Sequence, residues 1–160
     1  MPSKYYNPFQ GLDVRVPNRF RDEFGRYCQT HSEDRGRSSP VHNPFPRMID
    51  MWFLAVFLGA QEGKPADYDS KDSYRIIDAS IFSSDPWRID ALISLVRGYT
   101  NDIEIANRPR EVLALASGFA VAGMDKLLIM VKEGDSELAW NLSDELDRFL
   151  KKLYLSSNKV

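Results

Sequence analysis

The sequence predicts a mainly α, compact single-domain helical fold around a buried central helix, with room for one or two short strands. Three observations predict it. From Met48 to Leu58 only Asp50 is polar, and Ile49, Met51, Trp52, Phe53, Leu54, Val56 and Phe57 point in every direction around a helix axis, as in a helix covered on all sides. Apolar residues also recur at helical spacing in four other stretches, beginning at Phe20, Trp87, Val112 and Leu142. Strand-like alternation is confined to the triplet Val14-Arg15-Val16, before Pro17.

In chain order, Met1 to Leu12 is read as a flexible arm without helical or strand period, in which Tyr5, Tyr6 and Phe9 are candidates for docking onto a partner. The domain proper is expected over residues 13–155, with a frayed tail at 156–160. Asn18 offers a helix N-cap, and Phe20, Phe24, Tyr27, Cys28 and His31 form one face of an amphipathic helix of about four turns, weakened by Gly25. A polar loop from Ser32 to Pro44 leads into the central helix, which is expected from Pro46 to Gly59 because proline suits a first turn and Gly59 or Gly63 suits an end.

Arg75 to Phe82 follows another polar loop and shows no clean period, so a short strand or a buried extended connection is expected. Ser84 or Asp85 can cap a helix with Pro86 in its first turn, running to about Arg97 and burying Trp87, Ala91, Leu92, Leu95, Val96 and Tyr99. Asn107 and Pro109 open the next helix, expected to end at Gly123. Lys126 to Val131 is an apolar run that reads as strand or helix, with helix favoured by its neighbours. Ser143 is expected to cap a last helix carrying Leu142, Leu146, Phe149, Leu150, Leu153 and Tyr154 on one face.

The chain has 160 residues, enough for one domain with a real core. Its 43% hydrophobic and 28% charged residues and formal charge of -2 give it no general affinity for polyanions. The charge is unevenly placed: up to Arg47 there are eight Lys or Arg against five Asp or Glu, and beyond it thirteen against eighteen. Cys28 is the only cysteine, which excludes an internal disulfide and suits a reducing compartment. The opening MPSKYYNPFQ has no apolar core of a secretory signal, and the central apolar helix is too short to span a bilayer, which takes about twenty residues. A cytoplasmic protein without membrane contact is expected.

No motif of catalysis stands out. Gly59 and Gly63 lack the GK[ST] ending of a phosphate loop, so helix termination is their reading. Cys28, His31 and His42 are too few for a zinc site, and Ser117 lies in ALASGFA rather than in a nucleophile elbow. No cofactor, metal or catalytic residue is therefore assigned. The basic residues Arg15, Arg19, Arg21, Arg26, Arg35, Arg37 and Arg47 are candidates for contact with DNA, since guanidinium suits bidentate phosphate binding. Asp22, Glu23, Glu33 and Asp34 are interleaved, so a solvated charged face is the competing reading.

From Pro44 onward the order of features resembles that of the DNA phosphorothioation-associated protein 4 family, small proteins encoded beside bacterial DNA sulfur-modification genes. The resemblance rests on an apolar helix ending in LGAQEGK, Leu58 to Lys64, then a polar loop, an apolar helix and the stretch ALASGFAVAGMDKLLIMVKEG. It spans Asp13 to Tyr154 and transfers no catalytic residue. It implies a bacterial, cytoplasmic, non-catalytic accessory of DNA modification or phage defence, acting by binding larger proteins of such a complex. The alternatives are a DNA-binding component using the basic amino-terminal region, and a minor nuclease. The oligomeric state is not readable from the pattern.

Overall fold

The computed structural model describes residues 5–31, 39–132 and 137–157. Strand β1 (Asp13–Pro17) is followed by helix α1 (Arg21–Tyr27), the central α2 (Met48–Ala60), strand β2 (Ser73–Asp78), α3 (Pro86–Thr100), α4 (Pro109–Lys132) and α5 (Leu138–Ser157). Single 3-10 turns precede α1, α4 and β2 and follow α1 and β2. The buried apolar residues form one cluster from Phe9 to Leu142.

The centre of the molecule is the packing of α2 on α4, and α4 also touches α3, α5 and β1. Close approach rests on small residues. A β-carbon on Gly59 would fall 1.8 Å from the Phe119 carbonyl oxygen, far inside van der Waals contact, so only glycine fits there. Gly59 thus lies inside α2 as a packing residue, and the turn that ends the helix is made by Gly63, at φ 85°. Gly123 likewise does not end a helix. It is the facing contact on α4, which continues through Lys126–Val131 to Lys132, so the ambiguous run is helical and buried at Leu127, Leu128, Met130 and Val131.

The two strands form an antiparallel sheet, pairing Val14 with Ile77 and Val16 with Tyr74. The register is irregular between Val14 and Arg15, leaving Ile76 as an extra residue that turns into the core. That bulge explains why Arg75–Phe82 lacks a clean two-residue period.

Other boundaries differ from the sequence expectation. The first helix has seven residues rather than four turns. After Tyr27 the chain turns extended at Cys28, where the Gln29 N–H donates to the Phe45 carbonyl at 2.9 Å and the Phe45 N–H to Tyr27 at 3.1 Å. This clasp leaves Met48 as the first residue of α2, with the Arg47 N–H donating to Asp50 Oδ2 at 3.0 Å. Helix α3 continues to Thr100 and closes on Asn101 at φ 54°. Its buried positions are Arg88, Ile89, Leu92 and Val96, whereas Trp87, Ala91 and Tyr99, expected inside, are exposed. Helix α5 starts at Leu138, so Ser143 is an interior residue and not a cap.

The expected arm is docked where the structure describes it. Phe9 is 0% exposed and meets Phe82 edge-on at 5.6 Å, and Asn7 donates through Nδ2 to the Ala79 carbonyl at 3.0 Å and to Ser83. In the expected tail, the Ser156 and Ser157 hydroxyls donate to the Leu153 carbonyl in the last turn of α5. Helix α4 is long and apolar enough by composition to cross a membrane, yet 61% of its apolar window is buried inside the fold, as in a core helix.

Candidate interaction surface

Among the described residues, the basic side chains proposed for DNA contact divide into two that are engaged within the fold and three that are exposed. Arg15 points across the sheet and donates to the Ser73 hydroxyl and carbonyl at 3.1 and 2.8 Å. Arg47 is committed to Asp50 and Asp85, each at 3.0 Å. Arg19, Arg21 and Arg26 are exposed. Arg19 stacks on Phe20 and comes within 3.9 Å of Asp125, while Arg21 stacks on Tyr74 and donates to the Asn18 side chain. Arg35 and Arg37 lie outside the described residues. Of the three aromatic residues proposed for docking, Phe9 is core, which corrects that reading, Tyr5 is exposed and donates to Asp90 at 2.7 Å, and Tyr6 is exposed.

A different set of aromatic side chains forms a continuous surface. Phe53 and Phe57 are four residues apart on α2 and therefore neighbours on one side of it. The rings of Phe53 and Trp87 of α3 lie 5.2 Å apart, and those of Phe57 and Phe149 of α5 6.2 Å apart, both pairs near perpendicular. Four rings thus run from α3 across α2 to α5. Trp87 is 56% and Phe57 39% exposed, with Phe53 half-buried between them and Phe149 half-buried at the α5 end. The central helix is consequently not covered on every side.

Charge brackets the row at both ends. At one end the Arg88 guanidinium lies 4.9 Å from the ring centres of both Phe53 and Trp87 and reaches Asp50 at 2.5 Å. Together Arg47, Asp50, Asp85 and Arg88 tie the first turn of α2 to that of α3. Burial works to raise the Asp50 pKa, but the hydrogen bonds and charges of Arg47 and Arg88 outweigh it and hold it below its ordinary value. At the other end Lys126 stands 4.5 Å over Phe149 and 3.2 Å from Glu62. Beyond it a groove of about 420 Å³ opens between α4 and α5, lined by Lys126, Met130, Arg148, Phe149, Lys152 and Leu153 among others.

No family model, curated protein or solved structure matches this chain. Function must be read from the arrangement itself. Among the described residues no group of three or more His, Cys, Asp or Glu is placed to hold a metal ion. The Cys28 thiol is buried, and burial, with a smaller push from the Asp50 charge, raises its pKa to about 12, which disfavours the thiolate. Ser117 is buried within α4. What the surface offers is partly exposed apolar area with an Arg88–Asp50 ion pair at one end and a Lys126–Glu62 pair at the other.

Sequence reasoning missed the row because Trp87 was assigned to the buried face of its helix. The available signal was the Phe53 and Phe57 spacing, hidden inside a stretch in which nearly every residue is apolar.

Proposed function

We propose that this protein is a non-catalytic accessory or adaptor subunit of a bacterial DNA-modification or anti-phage defence system, acting in the cytoplasm by protein–protein binding. The observation that carries the binding part is the exposed row Trp87, Phe53, Phe57 and Phe149. Large rings on a surface expose apolar area that a partner can desolvate, and aromatic anchors with flanking arginine dominate the energetics of many interfaces. The system to which the adaptor belongs is supported by the resemblance of the LGAQEGK and ALASGFAVAGMDKLLIMVKEG stretches described above.

The test is co-purification of the protein expressed with the products of its neighbouring genes, comparing wild type with Phe57→Glu and Trp87→Ala. Both substitutions fall on exposed rings, and circular dichroism checks that the variants fold. Loss of one defined partner in both folded variants supports the reading. A partner retained by both, or metal-dependent DNA cleavage by the pure protein, overturns it.

A further inference from the structure

Helix α5 has two different long faces. Leu138, Leu142, Leu146 and Phe149 pack on the rest of the protein. On the opposite side Trp140, Asp144, Asp147, Lys151 and then Tyr154 with Leu155 follow at spacings of four, three, four and three, the repeat by which one helix meets another. All six are exposed, and the apolar members are very open: Trp140 62%, Tyr154 69% and Leu155 62%. Apolar residues cap both ends of this stripe, acidic residues fill its amino-terminal half, and Lys151 fills its carboxyl half with Arg148 at the edge.

That order is self-complementary about the midpoint of Leu138–Ser157, which falls between Asp147 and Arg148. Around a two-fold axis at that point, Asp144 stands opposite Lys151 of a second copy, Asp147 opposite Arg148, and Trp140 opposite Leu155 with Tyr154 beside it. Parallel pairing would instead set Asp144 against Asp144 and Lys151 against Lys151, which like-charge repulsion disfavours. Within one chain Lys151 is held by Asp147 at 2.6 Å and Arg148 by Glu145. Such exposed pairs are weak and exchange readily for cross-helix ones.

We propose that the outer face of α5 is an antiparallel, two-fold homodimer interface in which Trp140, Tyr154 and Leu155 supply the apolar contacts and Asp144 and Lys151 set the register. The occupant of this face is a second copy of the chain, because a two-fold contact requires a surface complementary to itself and this stripe is one. A helix of twenty residues is about 30 Å long, so the contact is small and the association reversible and concentration-dependent. Phe149 and Lys151 are two residues apart and so on opposite faces, which leaves the aromatic row free in the dimer.

The experiment is sedimentation equilibrium over a wide concentration range. Wild type is expected to pass from 18.4 kDa to twice that mass as concentration rises. Asp144→Lys and Lys151→Asp are each expected to weaken the dimer at least tenfold, while D144K/K151D on one chain, or an equimolar mixture of the two single variants, restores it. Both positions are exposed, and circular dichroism verifies the fold. A monomer at every concentration overturns the proposal, and so does a dimer that the single charge changes leave untouched.

Discussion

Gly59 of α2 and Gly123 of α4 hold each other's helix at backbone contact: a β-carbon on Gly123 would lie 2.4 Å from the Gly59 nitrogen and 1.9 Å from the Ala55 carbonyl oxygen. The helices cannot separate locally to admit a methyl without opening the centre of the core. Gly59→Ala and Gly123→Ala are expected to destabilise the protein by about 2 kcal/mol or more, overpacking outweighing the gain in helix propensity. Gly98, in α3, has nothing within 4 Å of its would-be β-carbon. Gly98→Ala is expected to stabilise by about 0.5–1 kcal/mol. Urea unfolding of the three variants checks both signs.

Arg88 and Arg47 serve the same two carboxylates from different depths. The Arg88 side chain is 9% exposed and that of Arg47 38%. Removing the buried guanidinium takes a hydrogen-bond donor from Asp50 and a nearby positive charge from Asp85, so Arg88→Met is expected to cost about 3 kcal/mol. Arg47→Met is expected to cost about 1 kcal/mol or less, because water replaces part of what is lost. Equal losses in denaturant titration would contradict this account.

Asp50 gives the fold a defined acid sensitivity. Its pKa in the folded protein lies below the ordinary 3.8. A carboxylate depressed in this way contributes its full stability above the unfolded pKa and loses it as pH falls through the lower native value. Wild type is therefore expected to exceed Asp50→Asn in thermal midpoint near neutral pH, with the gap closing as pH falls through and below the ordinary carboxylate range. A gap independent of pH would show that the carboxylate charge is not what Arg47 and Arg88 require.

Much of this architecture was legible in the chain. The all-round apolar composition of Met48–Leu58 marked the central helix, Pro109 marked the start of α4, and Val14–Val16 marked a strand. The end of α4 was misjudged where Gly123 was read as a terminator, whereas α2 ends at Ala60, one residue past Gly59. Gly59 and Gly123 look like stops along the sequence, and only the approach of two backbones reveals them as contact points. The aromatic row was illegible for a related reason. A helix apolar on every side carries no mark of the side its neighbours leave open, and that side is fixed by where α3 and α5 dock. Phe9 was misplaced because its pocket is built by Phe82, distant in sequence.

The exposed arginines bear on the DNA reading. Arg19 and Arg21 are stacked on Phe20 and Tyr74, and Asp125 lies close to Arg19. DNA affinity at physiological salt is expected to be no tighter than about 10⁻⁴ M, the weak end of non-specific binding. Fluorescence anisotropy at low and physiological salt, with Arg19, Arg21 and Arg26 changed to Glu, measures it. Tight binding that falls steeply with salt and disappears in that variant would transfer the function to DNA contact.

The sheet joins residues 13–17 to 73–78, and the helix contact at its heart joins Gly59 to Gly123. On the ribosome, β1 therefore emerges long before its pairing strand, and α2, the most apolar helix, is finished well before α4 exists to cover it. Between the completion of α2 at Ala60 and that of α4 at Lys132 the nascent chain carries an apolar helix whose main packing partner does not yet exist, the kind of transiently exposed apolar surface that favours aggregation. Completion of the Pro109–Lys132 stretch supplies the helix that covers it.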